Sequence, residues 1–301
     1  MKWLVVILSI IFLSFSLNAQ EDDLEQLLEK EMAPQTDFAT ATFKSTRIIT
    51  GHSIERMQQG DLDFRVAHRF GDVNTGFNEF YGLDESSSHI SLEYGITNWL
   101  MVGAGRATYQ KIFNGFYKAS ILRQCKGKKN IPIFLSLYSN MMVNSTEYED
   151  PKREKDFESR ISYVHQLLIA RKFSSRFSLQ LTPTILHRNL VKTKEDKNDL
   201  FALGLGGRFK LSNRIAVCAE YFYVNGLNQI DYITYYNPFS IGIDIETGSH
   251  VFQLHATNSF SIMENTFLAE NTGDFWDGNI HIGFNITRVF TLKKKKLKPN
   301  E

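Results

Sequence analysis

From about Ala41 to Phe290, apolar and polar residues alternate with a period of two, the signature of half-buried strands. The segments that carry this pattern begin with "RIITGHSIERM" and "DLDFRVAHRF". They continue through "HISLEYGI", "LMVGAGRATY", "FYKASILRQ" and "IPIFLSLYSNMM". The second half adds "SRISYVHQLLIARKF", "FSLQLTPTILHR", "LFALGLGGRFKL", "IAVCAEYFYV", "FSIGIDIE", "VFQLHATNSF" and "NIHIGFNITRVF". Almost no helix is predicted between them, so the chain reads as all-β, and the segment lengths suit strands that cross a membrane at a tilt.

Taking alternate positions separates two faces. One carries Leu135 and Leu137; Phe177, Leu179, Leu181 and Ile185; Phe201, Leu203, Leu205 and Phe209; Ile241 and Ile243; Ile282 and Phe284. The other carries Ser136, Tyr138, Asn140, Ser178, Thr182, Thr184, Gly204, Gly206, Ser240, Gly242 and Gly283. Antiparallel soluble sheets alternate too, but a soluble closed barrel turns its apolar face inward, whereas a membrane barrel turns it to lipid. The polar face lacks the Lys- and Glu-rich coat of soluble surfaces, and aromatics such as Trp99, Phe173, Tyr223, Trp276 and Phe290 gather at strand ends. These features predict a transmembrane antiparallel up-and-down barrel.

The connections alternate in length as well. Tight turns are expected at "MQQG", "TNW", "KGKK", "SSR", "SNR" and "TGS", and longer polar links at 71–87, 142–157, 189–199, 225–236 and 260–276, with a shorter one near "QKIFNG". A rim of short periplasmic turns opposite a rim of long external loops is the plan of outer-membrane barrels. Counting back from a last strand that ends in the periplasm leaves twelve strands from "DLDFRVAHRF" onward. "RIITGHSIERM" then either lies in the lumen or along the rim, or is joined by "FATATFK" to make fourteen strands. Twelve is the favoured count.

Residues 1–19, ending in "LNA", read as a cleaved secretory signal, because the apolar run falls short of the ~20 residues a spanning helix needs. An N-terminal periplasmic helix and linker follow over 20–40, with Leu24, Leu27, Leu28 and Met32 at helical spacing. The barrel is assigned to 41–292 and a basic tail, solvated in the periplasm, to 293–301. The 34 Lys+Arg and 33 Asp+Glu nearly balance, which gives no case for nucleic-acid binding. Neither Cys125 nor Cys218 lies near the cleavage site, so no lipid anchor is expected; the two could pair, but nothing requires it.

The "NAQ" signal ending, "TRIITGHSIERMQQGDLDFRVAHRFGDV", "YGITNWLMVGAGR" and "ETGSHVFQLHATNS" together resemble an uncharacterised Bacteroidetes-type outer-membrane β-barrel family, a domain of unknown function. The resemblance spans nearly the whole mature chain. It implies the fold, the outer membrane of a Gram-negative bacterium, and outer-membrane lipids and the barrel assembly machinery as partners. It supplies no catalytic residues. The ending "FTLKKKKLKPNE" departs from the usual terminal aromatic, although Phe290 stands close to that place, so insertion would read an internal signal.

Candidate chemistry lies on the lumenal parity. His89, Glu93, Gln180, Arg188, Glu220, Asp244, Glu246, His255 and His281 are predicted to line the interior. Arg106 would fall on the lipid face near mid-membrane at a cost of ~2–4 kcal/mol, so a bulge at Gly103 or Gly105 is expected to turn it inward. Gly204, Gly206, Gly242 and Gly283 favour open space inside, while Tyr138, Phe222 and Arg188 can fill it. The histidines show no metal-ligand spacing, and no cofactor is expected. His52, Ser53 and Glu55, or Asp61 and Asp63 with His68, are the only hydrolase-like sets, and adjacent strand residues point to opposite faces. The leading expectation is a non-catalytic channel or uptake protein for small solutes. The alternative is a filled structural or surface-binding barrel with recognition by its long external loops, and an enzyme ranks last. Charges at Leu135 or Ile243 should block assembly, and charges at Ser136 or Ser240 should be tolerated.

Overall fold

The computed structural model describes residues 35–147, 156–227, 233–248 and 250–293. The signal segment, the acidic helix expected before Pro34 and the tail beyond Lys293 lie outside the described residues. The chain divides into two units. In the smaller, Thr36–Phe38 pairs antiparallel with Cys125–Gly127.

The larger unit is a closed barrel of twelve antiparallel strands. In chain order they are β1 (Asp61–Asp72), β2 (Ser86–Gly95), β3 (Leu100–Ala107), β4 (Ile112–Leu122), β5 (Phe134–Asn144) and β6 (Ile161–Lys172). There follow β7 (Phe177–Arg188), β8 (Asp199–Lys210), β9 (Ile215–Asn225), β10 (Phe239–Thr247), β11 (His250–Thr257) and β12 (His281–Thr291). Each strand pairs with its neighbour in sequence, and β12 closes the ring on β1 with Ile286 opposite Val66. Closure removes the free edges that would otherwise leave backbone donors and acceptors unpaired in lipid.

The alternation of the sequence becomes the two faces of this wall. Ile90, Leu92, Leu181, Ile185, Leu203, Leu205, Ile241, Ile243 and Ile282 are exposed on the outside, while Ser136, Ser178, Thr182, Thr184, Ser240 and Thr257 are buried inside. An apolar band around the outer surface suits lipid and not water. The links 96–99, 173–176, 211–214 and 248–249 are short and make one rim. The strand ends joined by the links 73–85, 145–160, 189–198, 226–238 and 258–280 lie at the other. One link departs from the expected alternation: the 123–133 link on the short-turn rim is long. The 108–111 link opposite is short, as expected near "QKIFNG", and is turned by Gln110 and Lys111 in left-handed conformation.

Two segments fill the barrel. Residues 39–59 enter from the short-turn rim, form a hairpin with an Arg47–His52 bridge, and leave beside β2 through a Gln59–Gly95 bridge. "RIITGHSIERM" is therefore neither a thirteenth nor a fourteenth strand; it is packed in the lumen, with Ile48, Ile49 and Ile54 buried. From the other rim, the link after β11 folds inward, and nearly every residue from Asn258 to Asn271 is buried, including the helical turn Glu264–Phe267. This corrects the expectation of a polar external loop over 260–276. Its Met263, Phe267 and Leu268 share one apolar cluster with Phe43, Ile48, Ile49 and Ile54 of the hairpin and with Phe116, Met142, Leu168, Leu186 and Phe222 of the wall.

Arg106 is a correction too. Strand β3 pairs without a bulge on both sides, placing Arg106 opposite Ile90 and Phe113, and all three are exposed on the outer face. The strand is only eight residues long, so Arg106 lies one residue from its end and not at mid-membrane. There a long cation can reach the polar interface, and its guanidinium sits 5.3 Å from the Phe113 ring. Gly103 and Gly105 accommodate Phe116 and His89 across the inner face instead of bending the strand.

Candidate functional site

The hairpin is held chiefly through its own backbone, by side chains that strands carry inward. Lys118 on β4 donates its ammonium to the carbonyls of Thr46 (3.3 Å), Ser53 (2.8 Å) and Glu55 (2.7 Å). Gln180 on β7 donates to His52 O at 2.8 Å, Gln253 on β11 to Ile48 O at 2.7 Å, and Asn285 on β12 to Ile49 O at 2.9 Å. At the tip, the Glu220 carboxylate on β9 accepts from the backbone amides of Ile49 (3.4 Å), Thr50 (2.6 Å) and Gly51 (3.2 Å). Successive amides converging on one carboxylate form an anion nest, and Glu220 compensates them. Gly51 is required for this approach, because a Cβ there would stand 2.8 Å from the Phe222 ring and 3.3 Å from Glu220 Oε2.

Around the hairpin's base the contacts are ionic. Glu93 on β2 accepts from Thr46 Oγ1 at 2.5 Å and pairs with Arg47 at 3.0 Å and Arg65 at 3.6 Å. Arg65 on β1 also donates to Ser45 (2.7 Å) and Thr46 (2.8 Å). Lys44 pairs with Glu246 at 2.5 Å. Arg69, also on β1, is 2 % exposed and spans both closures: it donates to Thr50 Oγ1 on the hairpin and to the carbonyls of Ser259 (2.8 Å) and Ser261 on the inserted loop. The loop is pinned a second time where Glu264 accepts from Tyr138 Oη (2.8 Å) and Asn140 Nδ2 (3.0 Å).

These positions locate each residue expected to line the lumen. His89, Glu93, Gln180, Arg188, Glu220, Asp244, His255 and His281 are buried on the inner face, and Glu246 is half-buried near the short-turn rim. Glu93, Gln180, Glu220 and Glu246 touch the hairpin directly. Asp244 accepts from Gln253 (2.8 Å) and Cys218 (3.2 Å), and His89 pairs with Asn114 at 2.9 Å. His281 contacts Phe70 O at 3.0 Å, while neither ring nitrogen of His255 has a partner. Arg188 reaches the long-loop mouth and donates to Lys197 O at 2.9 Å. Arg106 is outside.

Residues 43–290 match the model of a family described as a membrane bound beta barrel domain (DUF5777). The chain belongs to that family. No curated protein matches the sequence of this membrane-bound barrel. Among solved structures it is similar to the NanC porin (TM-score 0.45, 8% identity) over 77% of this chain and 100% of that one. It is similar to the KdgM porin (0.45, 10%) over 76% and 99%, and to CdiB from Acinetobacter baumannii (0.36, 11%) over 85% and 65%.

Neither hydrolase-like set assembles in this barrel. Ser53 Oγ donates to Ser45 O at 2.5 Å, His52 Nδ1 faces Arg47 at 2.8 Å, and Glu55 accepts the backbone amides of Thr42 and Phe43 at 2.8 and 3.1 Å. Asp63 is buried inside the wall, whereas His68 is half-buried outside it, against the Phe284 ring. Among the described residues no three His, Cys, Asp or Glu side chains gather as metal ligands would. Cys125 and Cys218 are free thiols.

Sequence reasoning passed over Lys118, Arg65 and Arg69, which do most to hold the closures. A signal existed: Asp63, Arg65 and Arg69 share one parity on β1, so three charges had to enter the lumen together. The glycines also carry a different meaning. Gly204 receives the Phe222 ring, Gly206 receives Ile48 of the hairpin, and Gly283 receives His255, so they make room for a filling instead of leaving space. Substituting valine at Gly206 should overpack this contact by ~1–3 kcal/mol. Amide exchange over Thr46–Ser53 should then rise on the order of tenfold or more. Outward-facing Gly207→Val, whose Cβ would meet the flexible Leu179 Cδ2 at 3.2 Å and Ser178 O at 3.9 Å, should leave it unchanged, because neither atom belongs to the hairpin. Equal exchange in the two variants would remove Ile48 from the hairpin's anchorage.

Proposed function

We propose that this protein is a non-catalytic outer-membrane barrel for the passage of small polar solutes that rests closed, with its short turns toward the periplasm. One observation carries this reading. Asp63, Arg65, Arg69, Glu93, Lys118 and Glu220 are all buried at the level of the wall, and most serve a separate hairpin, much of it through backbone groups that water could serve equally well. Apolar side chains would fill a permanently sealed bore at no loss of stability, since buried charges rarely improve on well-packed hydrophobes. Ionisable residues facing the interior at membrane depth instead suit a path for polar solutes. Once the hairpin withdrew, the same donors and acceptors would line a hydrated passage.

The apolar cluster shared by hairpin, loop and wall supports a second reading, a filled barrel whose role lies in its external loops. Planar-bilayer recordings separate the two. The intact protein should be silent or open only rarely, and deletion of residues 42–55 should give stepwise conductance. A deletion variant that still migrates as a heat-modifiable barrel yet stays silent would favour the filled reading.

A further inference from the structure

We propose that the cavity at the long-loop mouth, bounded by Arg160, Arg188 and Lys192, binds a small hydroxycarboxylate in place of the carboxylate of Glu270. The cavity measures about 120 Å³ and is bordered by β5, β6, β7, the 189–198 link and the inserted loop. Glu270, at the end of that loop, already occupies the cationic part. Its Oε2 lies 2.6 Å from Lys192 Nζ and accepts from Gln110 at 2.9 Å, and its Oε1 lies 3.6 Å from Arg188. Burial alone would lower the Lys192 ammonium, but Glu270 more than offsets it and holds the group above its ordinary range. Arg160 donates to Asn144 O (3.1 Å) and Thr146 O (2.6 Å) on the same side.

Two buried polar atoms at this cavity lack partners. Arg188 is 4% exposed and Asn265 is 6% exposed, yet Arg188 Nε has no acceptor and Asn265 Oδ1 has no donor. Buried polar groups are seldom left unpaired in native proteins, and each specific exception points to something missing. Once Glu270 and the end of the inserted loop give way, a carboxylate satisfies the first and a hydroxyl donor the second, so one small molecule carrying both completes the site. Glu270 is then an internal stand-in. A competing carboxylate takes its cations and frees the end of the inserted loop.

This inference deepens the transport reading by naming a solute class, and it rests on that reading for its role, but binding can be measured without transport. In calorimetry on the full-length protein in detergent, D-glycerate should bind weakly to the wild type. It should bind at least tenfold more tightly to Glu270→Gln, which keeps the side-chain shape and removes the competing charge. Arg188→Gln in the same background should abolish the gain, and glycerol should not bind. Glycerate binding no better than glycerol in Glu270→Gln would overturn the site, and tighter binding of inorganic phosphate would overturn its assignment to a carboxylate. If Glu270→Gln fails to form a heat-modifiable barrel, wild type and Arg188→Gln are compared by ligand-observed NMR with D-glycerate. A signal lost in the variant supports the site, and an equal signal or none in both overturns it. Binding without conductance in the hairpin deletion would count against transport alone.

Discussion

Arg69→Met should unlatch both closures while leaving the wall intact. The guanidinium donates both to Thr50 on the hairpin and to Ser259 and Ser261 on the inserted loop. Methionine keeps the length and apolar stem but supplies no donor, which leaves the buried Ser259 carbonyl without one, Ser261 O with Ser259 Oγ alone, and the Thr50 hydroxyl without its cation. Buried acceptors that lose a charged donor cost on the order of 1–3 kcal/mol each. At ~1.4 kcal/mol per tenfold, amide exchange across 42–54 and 258–271 should rise on the order of a hundredfold or more. Exchange in β1 and its neighbours should stay slow, because the backbone pairing of Arg69 with Gly283 and Ser87 does not involve its side chain. In bilayers the variant should open far more often than the wild type. Exchange that rises in only one of the two segments would show that the hairpin and loop are held independently.

Ile243→Arg should prevent assembly of the barrel. Ile243 lies midway along β10, between Val217 and Leu254, and is 44% exposed on the apolar outer face. Arginine at the midplane of such a barrel costs ~2–4 kcal/mol, and the strand offers no neighbouring polar interface as Arg106 has at the end of β3. Heat-modifiable barrel should therefore be lost from the membrane fraction. Charge tolerance at Ser136 and Ser240, expected from parity, presumes a hydrated lumen, but Ser136 is 1% exposed and Ser240 3%, with Ser240 donating to Thr257 Oγ1 at 2.9 Å. Ser240→Asp should still assemble, with a looser interior, because the charge faces other polar groups and not lipid. Equal failure of Ser240→Asp and Ile243→Arg would undo the assignment of faces.

Much of the wall was legible in the sequence because one physical rule repeats along it. In "FSLQLTPTILHR" the alternation of Phe177, Leu179 and Leu181 with Ser178, Gln180 and Thr182 fixes both the strand limits and which side meets lipid. Strand β3 shows where that rule stops. Parity places Arg106 outward, but its depth is not local: the strand's length depends on where the neighbouring pairings end. The lumenal residues were legible by parity but not by partner. Nothing in "AVCAEYFY" indicates that Glu220 is capped by amides 170 residues earlier in the chain.

The sequence by itself determined the closed wall. Period-two alternation, link lengths and strand parity specify an antiparallel wall with an apolar exterior and favour twelve strands over fourteen, because each is a local consequence of lipid on one side and polar groups on the other; closure of the ring settles twelve. Whether the interior is open was decided only by tertiary structure. The segment 39–59 reads equally as a lumenal or rim segment or, with a partner strand, as part of the wall, and the 258–280 link reads as one more loop. Their place in the lumen follows from contacts such as Lys118 with Thr46, Ser53 and Glu55, and Arg69 with Thr50 and Ser261. Such long-range pairings depend on the closed ring bringing distant side chains to one point, and no periodicity along the chain encodes them.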